Sequence, residues 1–174
     1  MDWRIPMICL GGAAVSALLF GGSSAEAIDR KDVLEQMRNS RPADLQVLLK
    51  EPDAGGTRMI GIYGIQRDPG NADLRRYSLW EESLADLNIY IESVSCAVQQ
   101  PLRVKRTGTA VFVRMLNPGG PINATNREDH LVWWAACVPE LAGTDPATLH
   151  QKALDLGFST LIPERQEQLP ALAP

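Results

Sequence analysis

Residues 102–116 read "LRVKRTGTAVFVRML", and the way this stretch pairs with itself decides the fold class. With Thr107-Gly108 as a two-residue turn, Arg106 faces Thr109, Val104 faces Val111 and Leu102 faces Val113. One face then carries Leu102, Val104, Val111, Val113 and Met115. The other carries Arg103, Lys105, Phe112 and Arg114. A single register sorts nearly every side chain, which is the signature of a half-buried hairpin. The apolar face is expected on the core and the basic face in solvent, since alternating charge on a wet face is ordinary for antiparallel sheet. The functional alternative is that Arg103, Lys105 and Arg114 around Phe112 dock an acidic partner, with Arg103 stacked over Phe112 across the strands.

Downstream, "NPGGPINATNREDHLVWWAACVPE" (117–140) joins a Gly-Gly loop to an apolar segment. Thr125 and Glu128 have capping-box spacing, so a helix is expected from about Asn126. It ends near Pro139, which removes a donor and disfavours helix in the residue before it. At helical spacing Leu131, Trp134, Ala135 and Val138 share one face, while His130, Trp133 and Cys137 share another. Such a helix is apolar all round beyond its first turn, as in a buried element. Glu128 and Asp129 are accounted for by capping and by the positive end of the helix dipole.

Working outward, "DRKDVLEQMRNS" (29–40) has the acids and stripe of a short helix. "LQVLLKEPDAGGTRMIGIYGI" (45–65) gives two apolar runs around a turn cluster, a hairpin whose first arm also fits a helix. "QRDPGNAD" (66–73) is a loop by composition; its acids lack the ligand series of a calcium loop. "LRRYSLWEESLADL" (74–87) fits helix or strand, whereas "NIYIESVSC" (88–96) alternates as a strand. "TDPATLHQKALDLG" (144–157) is a final helix, with Asp145-Pro146 at its start, Gly157 past its end, and Pro146, Leu149, Ala153 and Leu156 as its buried stripe.

These elements predict a single α+β domain over residues 28–162. Its core is a mainly antiparallel sheet of about four to six strands, with the hairpin at 102–116 and helices packed on one face. Residues 163–174 are polar and Pro-punctuated, and read as a disordered tail.

The first 27 residues stand apart. "IPMICLGGAAVSALLF" (5–20) is a short apolar run, and Ala25-Glu26-Ala27 has the small-x-small pattern of a signal-peptidase site, which predicts cleavage after Ala27; because Asp2 offsets Arg4, a retained N-terminal anchor is the alternative. The protein is then expected in the periplasm or an equivalent extracytoplasmic compartment. Removing this segment takes one base and two acids from totals of 17 and 21, so the formal charge moves from −4 to −3. That balance gives no reason to expect nucleic-acid binding. No remaining run is long enough to span a membrane.

Export gives Cys96 and Cys137 their meaning. They are the two cysteines left, in a compartment where disulfides persist, and their spacing suits neither redox nor zinc chemistry. A structural disulfide is expected, stabilising the fold by about 3–5 kcal/mol.

Catalytic motifs are missing: the chain has no G-x-S-x-G, H-E-x-x-H or P-loop, and no cofactor is expected. Two functions remain in play. One is a non-enzymatic binding or accessory module, whose partner is a protein or a small polar ligand. It would make contact through the hairpin's basic face or through a pocket of Asn117, Gly119, Gly120, Asn123, Arg127 and His130, where backbone amides allow close approach. The other is a small hydrolase or lyase using His130, which can titrate near neutral pH, with Asp129 or Glu128.

Overall fold

Every strand of the sheet lies beside the strand that precedes it in the chain. The computed structural model describes residues 29–53 and 55–171; the expected signal peptide, residues 1–27, lies outside them. Helix α1 (Arg30–Asn39) comes first, then strands β1 (Gln46–Asp53), β2 (Gly56–Arg67), β3 (Leu74–Glu82), β4 (Leu87–Ser95), β5 (Leu102–Arg106) and β6 (Ala110–Met115). Helix α2 (Arg127–Cys137), two short 3-10 turns and helix α3 (His150–Asp155) follow, and β7 (Arg165–Pro170) closes the order. All neighbours pair antiparallel in the order β1 to β7, so β1 and β7 are the edges.

The class is α+β with an antiparallel sheet, and the strand count exceeds the expected range by one. The extra strand is β7, which occupies the segment read as a disordered tail. Its six residues are all exposed, so no burial pattern announces it. Its order comes from the backbone ladder it shares with β6, from Met115↔Arg165 to Ala110↔Pro170. Of the segments 45–50 and 74–87, ambiguous in sequence, residues 46–50 and 74–82 are strand, each held by neighbours in the ladder.

Helices lie on both faces of the sheet rather than on one. Cross-strand partners project to the same side, so the register defines the two faces. On the inner face, α2 packs Leu131, Val132, Trp133, Trp134 and Ala135 against Ile60, Ile62, Tyr77, Leu79 and Val94. On the outer face, α1 packs Leu34 and Met37 against Met59, Trp80 and Leu87. Asp29 caps α1 through Lys31 N at 2.9 Å. Glycine is required at Gly61, where a Cβ would lie 2.8 Å from the Gln46 carbonyl oxygen in the neighbouring strand.

Cys96 and Cys137 form the expected disulfide, tying the end of β4 to the end of α2. Trp133 sits beside it and donates from Nε1 to the Ser95 carbonyl at 2.8 Å. Its ring makes edge contacts with Trp134 and Phe158. Asp145 caps the turn at Pro146, and Pro146, Leu149 and Ala153 are buried as expected, but Leu156 is exposed. Among the described residues, no helix is long and apolar enough to cross a membrane.

The β5–β6 hairpin differs from its expected form in two ways. Thr107 N donates to Ala110 O at 2.9 Å, which centres the turn on Gly108-Thr109. The pairs are Leu102↔Met115, Arg103↔Arg114, Val104↔Val113, Lys105↔Phe112 and Arg106↔Val111. Each partner has moved by two residues, and an even shift leaves the facial sorting intact. The destination of the faces is reversed, however. Arg103 and Arg114 share the inner face with Val94, under α2, while Val104, Val113 and Met115 point outward. The reversal follows from α2, whose first turn brings two carboxylates over the basic side chains.

Candidate functional site

The first turn of α2 divides the expected site residues between two polar networks. Glu128 and Asp129 meet the basic residues of β5 and β6, whereas Asn126 and His130 meet Glu164, just before β7.

Arg103 is the hub of the first network and is fully buried. Its Nε donates to Glu92 Oε2 at 2.9 Å, and its Nη1 to Asp129 Oδ1 at 2.8 Å and Glu128 Oε1 at 3.2 Å. The Tyr77 hydroxyl donates to the same Glu92 oxygen at 2.8 Å. Lys105 Nζ reaches Glu128 at 3.2 Å, and Arg114 Nε lies 3.0 Å from Asp129 Oδ2. Arg58, from β2, joins Glu51, Glu81 and Glu128. Arg58, Arg103, Lys105 and Arg114 therefore face Glu51, Glu81, Glu92, Glu128 and Asp129, and no basic excess is left for an acidic partner.

The electrostatics follow from that packing. Burial alone would lower the Arg103 guanidinium, but Tyr77, Glu92, Asp129 and Glu128 reverse this and hold it charged. Burial pushes the Glu128 carboxyl up. Lys105, Arg103 and the hydrogen bond from Arg58 outweigh it and bring the carboxyl down to about 2. Burial drives the Tyr77 phenol well above its ordinary range. The capping box does not form: Asn126 is the N-cap without a side-chain cap bond, and Glu128 is committed to the strands. Nor does Arg103 lie opposite Phe112, because the register places Lys105 there.

The second network fastens the chain's C-terminal part to the Gly-Gly loop. Glu164 Oε1 lies 2.6 Å from His130 Nε2 and accepts from Asn117 N at 3.1 Å. Its Oε2 accepts from Asn126 Nδ2 at 2.9 Å. Asn117 Nδ2 donates to Thr160 O at 3.0 Å, and Asn126 Oδ1 accepts from Asn123 N at 2.8 Å. A Cβ on Gly119 would sit 3.0 Å from Ser159 O, and one on Gly120 would run into the Asn117 amide. The close backbone approach expected for a ligand is thus taken by the protein's own chain. Arg127 stands apart, on the surface, 3.4 Å from Asp145. An open hollow of about 500 Å³ does border Gly119, Gly120 and His150.

His130 is fully buried and pairs with Glu164, whereas the Asp129 and Glu128 carboxylates are engaged on the other network. Its Nδ1 is buried without a hydrogen-bond partner. Among the described residues, no group of three or more His, Cys, Asp or Glu side chains has the placement of a metal site.

Glu92, Arg58, Tyr77 and Glu164 were not singled out in the sequence. Glu92 shares a strand face with Asn88 and Tyr90, so its face is legible in the sequence but its burial is not. Glu164 lies in the segment read as tail and gave no signal. No family model, no curated protein and no solved structure matches the chain.

The described residues leave much of the outer face from β4 to β7 uncovered. Ile89 and Trp80 are cross-strand partners, as are Ile91 and Ser78, so Ile89 and Ile91 lie on the side that α1 covers at the other end of the sheet. Here no described element covers them: Ile91 is 73% exposed, Ile89 45% and Leu169 48%. Val104, Val111 and Val113 lie half-buried on the same outer face, across β5 and β6. Exposed apolar side chains grouped on one face, rather than scattered singly, mark contact surfaces on proteins.

Proposed function

We propose that this chain is an exported, non-enzymatic binding module whose contact surface is the outer face of β4–β7. The observation that carries the reading is Ile91, 73% exposed beside Ile89 on an outer face that no described element covers there. The reading moves the partner surface from the basic side of the hairpin to its apolar side, because the basic side is neutralised by α2. The disulfide between Cys96 and Cys137 supports an oxidising compartment.

Affinity capture from an extracytoplasmic extract of the native host tests this, with three baits: parent, Ile91→Glu and Leu161→Glu. Leu161 is equally apolar and exposed but lies outside strands β4–β7. The expected result is a protein retained by the parent and by Leu161→Glu and lost with Ile91→Glu, at unchanged melting temperature. Equal retention by all three baits overturns the assignment of the surface. An activity on ester, amide, phosphoester or glycoside substrates that vanishes in a folded His130→Gln would replace it with the hydrolase or lyase reading.

A further inference from the structure

The sheet is forked along the middle of this same outer face. Strand β4 pairs with β3 over its whole length, from Leu87↔Glu82 to Ser95↔Leu74. On its other side it pairs with β5 over only three positions, Ser93↔Val104, Val94↔Arg103 and Ser95↔Leu102. Continued, that register would set Glu92 against Lys105 and Ile91 against Arg106, but the strands have parted by then. Strand β5 runs on to Arg106 in partnership with β6 alone. Hollows open on both sides of the fork, about 590 Å³ outside and about 300 Å³ inside, and Tyr90, Glu92 and Arg106 line both.

Two consequences follow from elementary strand chemistry. Between Asn88 and Glu92, alternate residues of β4 direct their N–H and C=O groups into the fork, where no described strand receives them. Such an edge is a template for another extended chain. The side chains around it select which chain. Ile89 and Ile91 offer an apolar outer wall, while Arg76 and Arg106 stand on the same outer side of β3 and β5. Arg106 is exposed and has no ion-pair or hydrogen-bond partner among the described residues; Arg76 is 67% exposed and lies 3.4 Å from Asp68.

We infer that the fork is a strand-addition site for an extended peptide segment of a partner protein. The incoming strand completes the ladder on β4 from Asn88 to Glu92. Its outward side chains alternate between apolar groups against Ile89 and Ile91 and a carboxylate against Arg106. The inference rests on the binding-module reading above and names the partner's chemistry.

A phage-displayed library of random decapeptides, panned on the intact protein, supplies the probe. Selected peptides are expected to alternate apolar and polar residues and to carry Asp or Glu. Their synthetic forms should lose about tenfold in affinity against Arg106→Glu, the worth of one charge-assisted hydrogen bond. N-methylation of alternate peptide amides should weaken binding at least as much, because it removes ladder donors. Bound peptide should also slow amide exchange between Asn88 and Glu92. Panning that yields no binder, or binders indifferent to both changes, overturns the inference. So does a concentration-dependent dimer abolished by Arg106→Glu, which would make a second copy the occupant. If capture by the outer face still depends on Ile91 while these peptide results fail, strand addition is wrong and the binding surface stands. If both fail, so does the module reading.

Discussion

Asp129 lies between two arginines that face each other across β5 and β6. Arg103 Nη1 is 2.8 Å from its Oδ1, and Arg114 Nε is 3.0 Å from its Oδ2. Like charges directly opposite on adjacent strands repel, so the Arg103↔Arg114 pair depends on the helix that supplies the carboxylate. The helix in turn is held over the sheet by the pair. This mutual dependence places the basic side of the hairpin inside the protein and leaves its valines outside.

Removing one member of such a buried set costs more than removing all of it. Asp129→Ala leaves Arg103 buried with only part of its compensation, and should lower unfolding free energy by about 3–5 kcal/mol. The triple variant Glu92→Gln, Arg103→Met, Asp129→Leu, which leaves no buried charge without its partner, should be less destabilised than Asp129→Ala alone. Urea denaturation of the three proteins measures this. A single variant within about 0.5 kcal/mol of the parent would show that water already solvates the arginines.

The disulfide joins residues 41 positions apart, and a loop of that size stabilises the folded state by about 4 kcal/mol in the chain-entropy model. Non-reducing peptide mapping should recover Cys96 linked to Cys137. The Cys96→Ala, Cys137→Ala variant should lose stability of that order without changing the secondary structure. Free thiols in the native protein would rule the crosslink out.

Much of this architecture is legible in the sequence, and the failures share one cause. The alternation in 102–116 and the apolar run at 131–136 specify local geometry, and both elements form. What alternation cannot specify is which side of a strand becomes interior. Glu128 and Asp129 have an adequate local explanation at a helix start, so nothing nearby signals that they complete Arg103. The same holds for Gly119 and Gly120, whose backbone is approached by Ser159 and Asn117 rather than by a ligand. Strand β7 is the extreme case: its sequence is all polar apart from Leu169 and Pro170, and its order comes from a neighbour.

The Glu128 carboxyl predicts an acid limb in the stability curve. Its folded value, about 2, lies below its ordinary value of 4.5, so its ionised form stabilises the folded state. That contribution is complete above the ordinary value and is lost as pH falls from about 5 toward 2. Glu164 is also lowered and acts in the same direction. Glu128→Gln should therefore flatten the decline in urea midpoint over this range without removing it. A variant whose midpoint falls as steeply as the parent's would show that Glu128 titrates normally.

Glu164 should decide whether β7 stays on the sheet. All six side chains of β7 are exposed, so its ladder with β6 has no apolar burial behind it. Strands of that kind open locally at low free energy unless something at their ends holds them. At the β7 entrance, burial pushes the Glu164 carboxyl up, while hydrogen bonds from His130, Asn126 and Asn117 N more than reverse this and favour its charged form. Glu164→Ala removes all three bonds at once. Amide exchange at Gln166 to Leu169 should then accelerate by about tenfold or more, while the amides of Leu131 to Ala136 keep their protection. His130→Gln retains a donor toward Glu164 and should leave β7 closer to the parent than Glu164→Ala does. Unchanged exchange in Glu164→Ala would mean that the β6–β7 ladder is sufficient by itself. Loss of protection throughout α2 would mean instead that this network belongs to the core rather than to strand β7.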